Sequence, residues 1–236
     1  MSALSGNMNS DFTKLVLSVA KRLARPCGAL LAAATVWGGS VAATAQTPPA
    51  KNEIILVVGD SLSAEYGLKR GTGWVPLLEK QLGNEKKAAK VVNASISGDT
   101  TSGGRSRLPA LLAQHKPSVV VIELGGNDAL RGLPLDMTEK NLVAMTQASK
   151  QAGARVLLVG MQVPPNYGSA YAATFSGLFG KIAKAEKVAL VPFFLKGVAD
   201  AADPVANFQA DRIHPNEQSQ ARMLANVWPE LKKLIK

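Results

Sequence analysis

The sequence contains very little cysteine and histidine. Among 236 residues there is one cysteine, Cys27, and there are two histidines, His115 and His214. Cys27 lies in a leader-like segment, so the rest of the chain can form neither a disulfide nor a thiolate metal site. A protein without disulfides must depend on its hydrophobic core for stability, and any imidazole chemistry must come from one of two histidines.

Other signals are missing as well. The basic residues, which give a formal net charge of +10, are scattered without an aromatic stacking platform, so no nucleic-acid partner is predicted. The glycine-rich stretch at 102–104 lacks the Gly-Lys-Ser/Thr of a nucleotide-binding loop. No metal or organic cofactor is implied. The positive charge favours transient contact with anionic membrane surfaces. The alternative is that it only keeps the protein soluble.

The first 45 residues have the pattern of a signal peptide. Four basic residues come first, namely Lys14, Lys21, Arg22 and Arg25. The apolar run 28–42 follows, and residues 43–45 fit the small-x-small rule for cleavage. The run is interrupted by Gly-Gly-Ser and is short of the roughly 20 apolar residues that span a membrane. We predict a periplasmic or secreted protein, cleaved near Ala45, with a membrane anchor as the alternative.

After a short lead-in at 46–52, strand and helix patterns alternate to the end of the chain. Five runs are typical of buried strands: Glu53–Val58, Val91–Ala94, Ser118–Leu124, Arg155–Met161 and Val188–Phe193. Five segments favour helices: Trp74–Leu82, Leu108–His115, Thr138–Gln151, Ala170–Lys187 and a last helix from Pro215 to Leu234, kinked at Pro229. Buried strands that alternate with helices specify a parallel sheet covered on both faces. The sequence predicts one three-layer α/β domain over residues 53–236.

Ser61 is the first candidate for chemistry. It follows the first predicted strand through Gly59 and Asp60 and is expected to begin a helix. Its hydroxyl would emerge at the sheet edge where open α/β sheets bind ligands. Its N–H would lie where the helix dipole favours an anion. A serine that only caps a helix is the alternative.

His214 and Asp211 are the next candidates. A serine hydroxyl needs a base to become a nucleophile, and imidazole changes its charge near neutral pH. Asp211 precedes His214 by three residues, so one turn can hold both, and the carboxylate can orient the ring. A capping aspartate beside a surface histidine is the alternative. His115 precedes Lys116 and Pro117 at a predicted helix end and is interpreted as a C-terminal cap.

Gly98 and Asn127 are candidates for stabilising an oxyanion. Gly98 has no side chain, so a substrate carbonyl can approach its N–H closely. Asn127 follows the predicted strand Ser118–Leu124 through two glycines, which can turn its amide toward the same point. Donors of this kind stabilise the charge that develops on a carbonyl oxygen. With a serine nucleophile, they predict acyl transfer.

Four short blocks together resemble one hydrolase family. They are Gly59-Asp60-Ser61-Leu62, Gly98-Asp99, Gly125-Gly126-Asn127-Asp128 and Asp211-Arg212-Ile213-His214. With matching stretches spread over residues 53–234, the sequence resembles the SGNH (GDSL) hydrolases, in particular the periplasmic thioesterase I/protease I/lysophospholipase and arylesterase group. The stretch 69–73 departs from the family pattern by its glycines, at the expected rim of the site.

The resemblance implies a fold, an activity and roles. The fold is a flavodoxin-like α/β/α sandwich with five parallel strands. Ser61 is the nucleophile, Asp211 and His214 complete the triad, and Gly98 and Asn127 donate to the oxyanion. The activity is hydrolysis of carboxylic esters and thioesters, such as aryl esters, acyl-CoA and lysophospholipids, through an acyl-enzyme. A carbohydrate O-acetylesterase of the same family and a noncatalytic acyl-binding protein are the alternatives, and a monomer is expected.

Two segments are candidates for the walls of an acyl groove. One is 129–135, with Leu130 and Leu133, and the other is 161–167, with Val163 and Pro164. The resemblance implies that they serve as a switch loop and an acyl-contact loop. The alternative is that their apolar side chains simply pack onto the core.

Overall fold

Five parallel strands form the centre of the structure, a computed structural model that describes residues 53–236. The strands are β1 (Glu53–Gly59), β2 (Ala89–Asn93), β3 (Val119–Glu123), β4 (Arg155–Val159) and β5 (Ala189–Val191). Their order is β2-β1-β3-β4-β5, and every neighbouring pair is parallel. This is the flavodoxin-like order, so the predicted sheet is confirmed. The predicted signal peptide and the lead-in at 46–52 lie outside the described residues.

In the described part of the chain, six α-helices cover the two faces of this sheet. They are α1 (Trp74–Asn84), α2 (Thr101–His115), α3 (Gly126–Leu130), α4 (Leu135–Gln151), α5 (Ser169–Glu186) and α6 (Gln220–Lys233). Helices α1 and α6 pack together, as do α2 with α4 and α4 with α5. The predicted three-layer sandwich is therefore confirmed. Within residues 53–236 no helix is long and apolar enough to cross a membrane.

The central strands are buried on both faces. Residues 55–58 of β1 are fully buried, and so is nearly all of β3. A continuous apolar run suits such a strand because its side chains meet a helical layer on either face. At one end of the core, the Trp74 ring packs edge to face against Phe194, with 5.6 Å between centroids. The Trp74 indole N–H also donates to the Ser63 hydroxyl at 3.1 Å, so the core supports the turn after β1.

The parallel sheet brings all strand-to-helix connections to one edge, which we call the carboxyl edge. These connections span residues 60–73, 94–100, 124–134, 160–168 and 192–219. The connections from helices back to strands lie at the opposite, amino edge. All five carboxyl-edge connections carry at least one residue that the sequence predicts for the catalytic site, the oxyanion site or the groove. The last of them carries both Asp211 and His214.

Helix boundaries differ from the prediction at several points. Helix α2 begins at Thr101 rather than Leu108, because the Thr100 hydroxyl caps it by accepting from the Gly103 N–H. Its first turn is small and polar, so it lacks the apolar spacing that predicts a helix. Helix α3 has only five residues and a glycine start, so the sequence does not predict it. Helix α6 continues through Pro229.

Candidate active site

Ser61 lies at the carboxyl edge, in the turn that follows β1. The prediction that it begins a helix is wrong, because residues 61–67 form successive turns. Glu65 interrupts a helical path, since its φ of 60° is left-handed. Its Oε1 accepts the N–H groups of Gly71 and Gly73 at 2.9 and 2.7 Å, which ties the glycine-rich stretch 69–73 to the turn. The Ser61 N–H is therefore presented by a turn and gains no helix dipole.

A chain of hydrogen bonds joins Ser61, His214 and Asp211. His214 Nε2 is 2.9 Å from Ser61 Oγ, and His214 Nδ1 is 2.6 Å from Asp211 Oδ2. The second carboxylate oxygen of Asp211 accepts the N–H groups of Ile213 and His214, each at 3.0 Å. The aspartate and the histidine thus share one turn, and that turn fixes both ends of the pair.

Asp211 is held in its ionised form. Desolvation acts to raise the pKa of this carboxyl, but hydrogen bonds from the His214 ring and from the Ile213 and His214 N–H groups lower the pKa to about 2. An ionised Asp211 favours the tautomer that is protonated on His214 Nδ1, which leaves Nε2 to accept the Ser61 proton. The ring is therefore oriented as a general base requires.

The loop that carries His214 is anchored to the turn that carries Ser61. The Gln209 N–H donates to the His214 carbonyl at 2.8 Å, and the Gln209 side-chain amide donates to the Tyr66 carbonyl at 2.9 Å. The Tyr66 ring lies against the His214 ring, with 4.4 Å between centroids and 38° between planes. No motif identifies Tyr66, because the contact joins segments far apart in the sequence.

Gly98 lies beside the end of β1. After β2 the chain continues along β1, and the Ile96 N–H donates to the Gly59 carbonyl at 3.1 Å. Gly98 then adopts a φ of 78°, which glycine reaches without the steric cost of a side chain. Among the described residues, no hydrogen bond uses the N–H of Gly98 or of Ser61. Both donors are thus available to an oxyanion.

Asn127 is the second residue of α3, so a helix rather than a strand end carries its amide. The amide donates to the Asp99 carbonyl at 3.0 Å and to Asp60 Oδ2 at 3.1 Å. The next residue, Asp128, is fully buried and accepts from the Thr101 N–H at 2.8 Å and from its hydroxyl. Because Asp128 ties α3 to α2, it helps to hold the Asn127 amide against the Asp99 carbonyl, one residue after Gly98.

Two buried carboxyls, Asp60 and Glu123, lie next to Ser61. Burial outweighs the hydrogen bonds to Asp60 and raises its pKa to about 6. Burial and the Asp60 charge together raise the pKa of Glu123 well above its usual range. Glu123 Oε2 accepts from the Ser63 hydroxyl at 2.7 Å. The one signal in the sequence is an acidic residue at the end of the otherwise apolar β3.

The groove candidates lie at the same edge, after β3 and β4. Leu130 and Pro164 are exposed, whereas Leu133 and Val163 are half-buried. Val163 also packs against the main core, as the alternative interpretation requires for that residue. An acyl-binding role for the four therefore stays a prediction.

The second histidine is far from this site in the fold. His115 is the last residue of α2, and the left-handed Lys116 that follows closes the helix with its N–H on the Leu112 carbonyl. This helix end leads into β3 and lies at the amino edge. Among residues 53–236, no group of three or more His, Cys, Asp or Glu side chains is arranged to hold a metal ion.

A hydroxyl bonded to an imidazole that is bonded to a carboxylate, at the carboxyl edge of an α/β/α sandwich, defines a serine hydrolase. The chain belongs to the GDSL-like lipase/acylhydrolase family, whose model matches residues 57–222. The resemblance to the SGNH (GDSL) hydrolases is thereby confirmed.

Similar proteins support the same assignment over most of the chain. Esterase TesA of Pseudomonas aeruginosa is 52% identical over 202 residues, which cover 86% of this chain and 99% of that protein. Thioesterase 1/protease 1/lysophospholipase L1 of Escherichia coli is 44% identical over 185 residues, which cover 78% and 85%. A crystal structure of TesA superposes with a TM-score of 0.75 at 54% identity and covers 78% of this chain and all of that one.

Proposed function

We propose that this protein is an exported serine esterase that hydrolyses carboxylic esters and thioesters through an acyl-enzyme on Ser61. The observation that carries the proposal is the unbroken chain from Ser61 Oγ to His214 Nε2, at 2.9 Å, and from His214 Nδ1 to Asp211, at 2.6 Å. Relatives named esterase, arylesterase and thioesterase 1/protease 1/lysophospholipase L1 support the substrate class.

The reaction proceeds in two halves. His214 takes the Ser61 proton as the hydroxyl attacks the carbonyl carbon, and the imidazolium then gives that proton to the leaving alcohol or thiol. The Ser61 N–H and the Gly98 N–H stabilise the oxyanion. The Asn127 amide joins them by exchanging one of its two hydrogen bonds, to Asp60 or to the Asp99 carbonyl, for one to the oxyanion. Water then attacks the acyl-enzyme, and His214 again accepts a proton and returns it to Ser61 as the acid leaves.

A fluorophosphonate that labels serine nucleophiles tests the proposal. We expect one equivalent on the native protein and none on Ser61→Ala. Turnover of a soluble aryl ester should fall by about 10⁴–10⁶ in Ser61→Ala and in His214→Ala, and by about 10²–10³ in Asn127→Ala. His115→Ala is the matched control and should keep its activity. Labelling that persists in Ser61→Ala would refute the nucleophile.

The alternatives remain distinct outcomes of that experiment. A noncatalytic acyl-binding protein would bind fatty acyl chains and take up no fluorophosphonate. A carbohydrate O-acetylesterase would be labelled but would hydrolyse acetylated glycans and spare long acyl esters. We infer a small-molecule acyl ester or thioester as substrate, a monomeric enzyme, and transient contact with anionic membranes.

Export is part of the proposal. Its support is the basic leader, the apolar run 28–42 and the small residues at 43–45. N-terminal sequencing of protein recovered from the periplasm or medium should begin at Gln46. A membrane fraction that retains the whole leader would instead indicate an anchor.

A further inference from the structure

The exposed large apolar side chains are concentrated at one edge of the fold. In the described part of the chain, large hydrophobic residues with high exposed fractions are Tyr66 (50%), Ile96 (53%), Leu130 (42%), Val205 (57%) and Ile213 (51%). All five lie in or beside connections at the carboxyl edge, and the long helices that cover the sheet carry none of them. Isolated exposed hydrophobic residues need no explanation, whereas a group around one site marks an interaction surface.

Four of these residues flank the active site, and we call them the rim patch: Tyr66, Ile96, Leu130 and Ile213. Tyr66 lies against the His214 ring, and Ile213 precedes that histidine in the chain. Ile96 lies in the segment that leads to Gly98, and Leu130 belongs to the same short helix as Asn127. The patch therefore has one part beside the base and another part beside the oxyanion donors.

Positive charge accompanies the rim patch. Lys69 and Arg70 follow Tyr66, Arg131 follows Leu130, and Arg212 precedes Ile213, and all four are exposed. Within residues 53–236 none of these four forms a salt bridge. Arg131 donates to the Gly98 carbonyl at 2.8 Å, so one cation lies directly at the mouth of the site.

Two of the nearby acidic groups are already engaged, whereas the exposed Glu79, which lines a shallow pocket together with Arg70, is a free carboxylate within residues 53–236, on the side away from His214. Asp211 is bonded to the His214 ring, and Glu65 is bonded to two backbone N–H groups of its own loop. Val205 has the opposite surroundings, because the exposed Asp200 and Asp203 precede it. The fifth exposed hydrophobic residue therefore belongs to a more acidic part of the same edge and lies outside the rim patch.

Apolar side chains interleaved with unpaired cations suit one kind of partner. Apolar groups enter the boundary between lipid head groups and acyl chains, while Lys and Arg attract anionic head groups, each raising affinity about fivefold. We propose that the rim patch docks on the surface of an anionic lipid bilayer, with the active site facing the lipid. The enzyme then takes membrane-borne acyl esters directly from the bilayer, a refinement that rests on the proposed esterase function.

Vesicle binding tests the docking surface separately from catalysis. The protein recovered after export is sedimented with phosphatidylglycerol vesicles and, separately, with phosphatidylcholine vesicles. We expect clearly tighter binding to phosphatidylglycerol, and the same binding by Ser61→Ala, which has lost turnover. If the esterase proposal fails, this binding measurement still stands, and if only binding fails, the esterase proposal is untouched.

Two double variants examine the two components of the surface. Ile96→Ser with Ile213→Ser removes apolar contacts, and Lys69→Gln with Arg70→Gln removes two charges, so each pair should weaken phosphatidylglycerol binding at least about tenfold. The charge pair should also slow hydrolysis of a vesicle-borne ester while a soluble short ester is hydrolysed at the native rate.

Each double variant has a matched control. Val205→Ser alters an exposed apolar residue in acidic surroundings, and Lys86→Gln with Lys87→Gln removes two charges at the amino edge. Both controls should bind vesicles within about twofold of the native protein. Equal losses in controls and rim variants would overturn the proposal, because bulk charge would then explain the binding. Dimerisation in solution that the rim variants abolish, without vesicle binding, would overturn it in favour of a contact between two copies.

Discussion

Tyr66 contacts the face of the His214 ring, which the hydrogen bond to Asp211 leaves uncovered. Asp211 fixes one edge of the His214 ring, whereas the Tyr66 ring covers its face at 4.4 Å. An aromatic face attracts a cation, and in the proposed mechanism this attraction contributes most when His214 is an imidazolium, around each tetrahedral intermediate. We therefore propose that Tyr66 is a positioning residue for His214.

Replacing Tyr66 tests this role. Tyr66→Leu should lower kcat on a soluble aryl ester about two- to tenfold and leave KM nearly unchanged, because the contact acts on His214 and on no part of the substrate. Steady-state kinetics measures both constants. Tyr66→Phe keeps the ring and should restore most of the rate. A loss confined to KM would show that Tyr66 contacts substrate instead.

At the scale of single residues, a contact between functional residues that are close in sequence can be predicted. A contact between residues that only the fold brings together cannot. The pairing of Asp211 with His214 follows from a spacing of three, and both groups do share a turn. The catalytic roles themselves remain predictions. Tyr66, Asp60 and Glu123 have no such spacing, since their partners come from other segments that the fold brings together.

At the scale of elements, local composition misleads where a polar contact overrides it. The residues after β1 suggest the start of a helix, yet the left-handed Glu65 and its bonds to Gly71 and Gly73 impose turns. The small residues at the start of α2 hide a helical turn that Thr100 caps. The long apolar strands carry no such ambiguity, because burial on both faces demands continuous apolar runs.

The connections after β3 and β4 give a prediction at this scale. If they form the walls of an acyl groove, each methylene buried there adds up to about 0.8 kcal/mol of binding, so kcat/KM should rise with acyl length until the groove is full. Leu133→Gln and Val163→Thr should flatten that rise on p-nitrophenyl esters and leave acetyl-ester hydrolysis nearly intact.

A matched substitution separates groove from packing. Leu224→Gln changes a half-buried leucine on α6, a helix of the opposite layer, and should not alter the dependence on acyl length. If Leu133→Gln and Val163→Thr instead reduce short-ester and long-ester activity in equal proportion, those side chains only pack onto the core.

At the scale of the whole molecule, the layers follow from the sequence and the placement of buried charge does not. Alternating strands and helices predict the sandwich, whereas the strand order came from the resemblance to a family. Hydrophobic pattern also cannot anticipate that Asp60 and Glu123 are both buried. Asp60 links the turn after β1 to α3, because it accepts hydrogen bonds from the Leu62 N–H and from the Asn127 amide.

The burial of Asp60 predicts how stability depends on pH. Burial raises the pKa of Asp60 from 3.8 to about 6, so between these values the folded state binds more protons than the unfolded state. The free energy of unfolding should therefore fall as pH rises through this window and stay lower above it. The rise of the Asp60 pKa from 3.8 to about 6 corresponds to about 3 kcal/mol of unfolding free energy. Asp211, whose pKa is lowered to about 2, acts in the opposite sense and only below this window.

Urea denaturation at pH 4 and pH 7.5 measures the effect. In Asp60→Asn the difference in unfolding free energy between the two pH values should shrink by up to about 3 kcal/mol, because one of the two raised carboxyls is gone while Glu123 remains. Asp136→Asn is the matched control, since that exposed carboxylate pairs with Lys140 and its pKa is lowered mainly by that hydrogen bond. An Asp60→Asn profile parallel to the native one would mean that Asp60 ionises without cost in the folded protein.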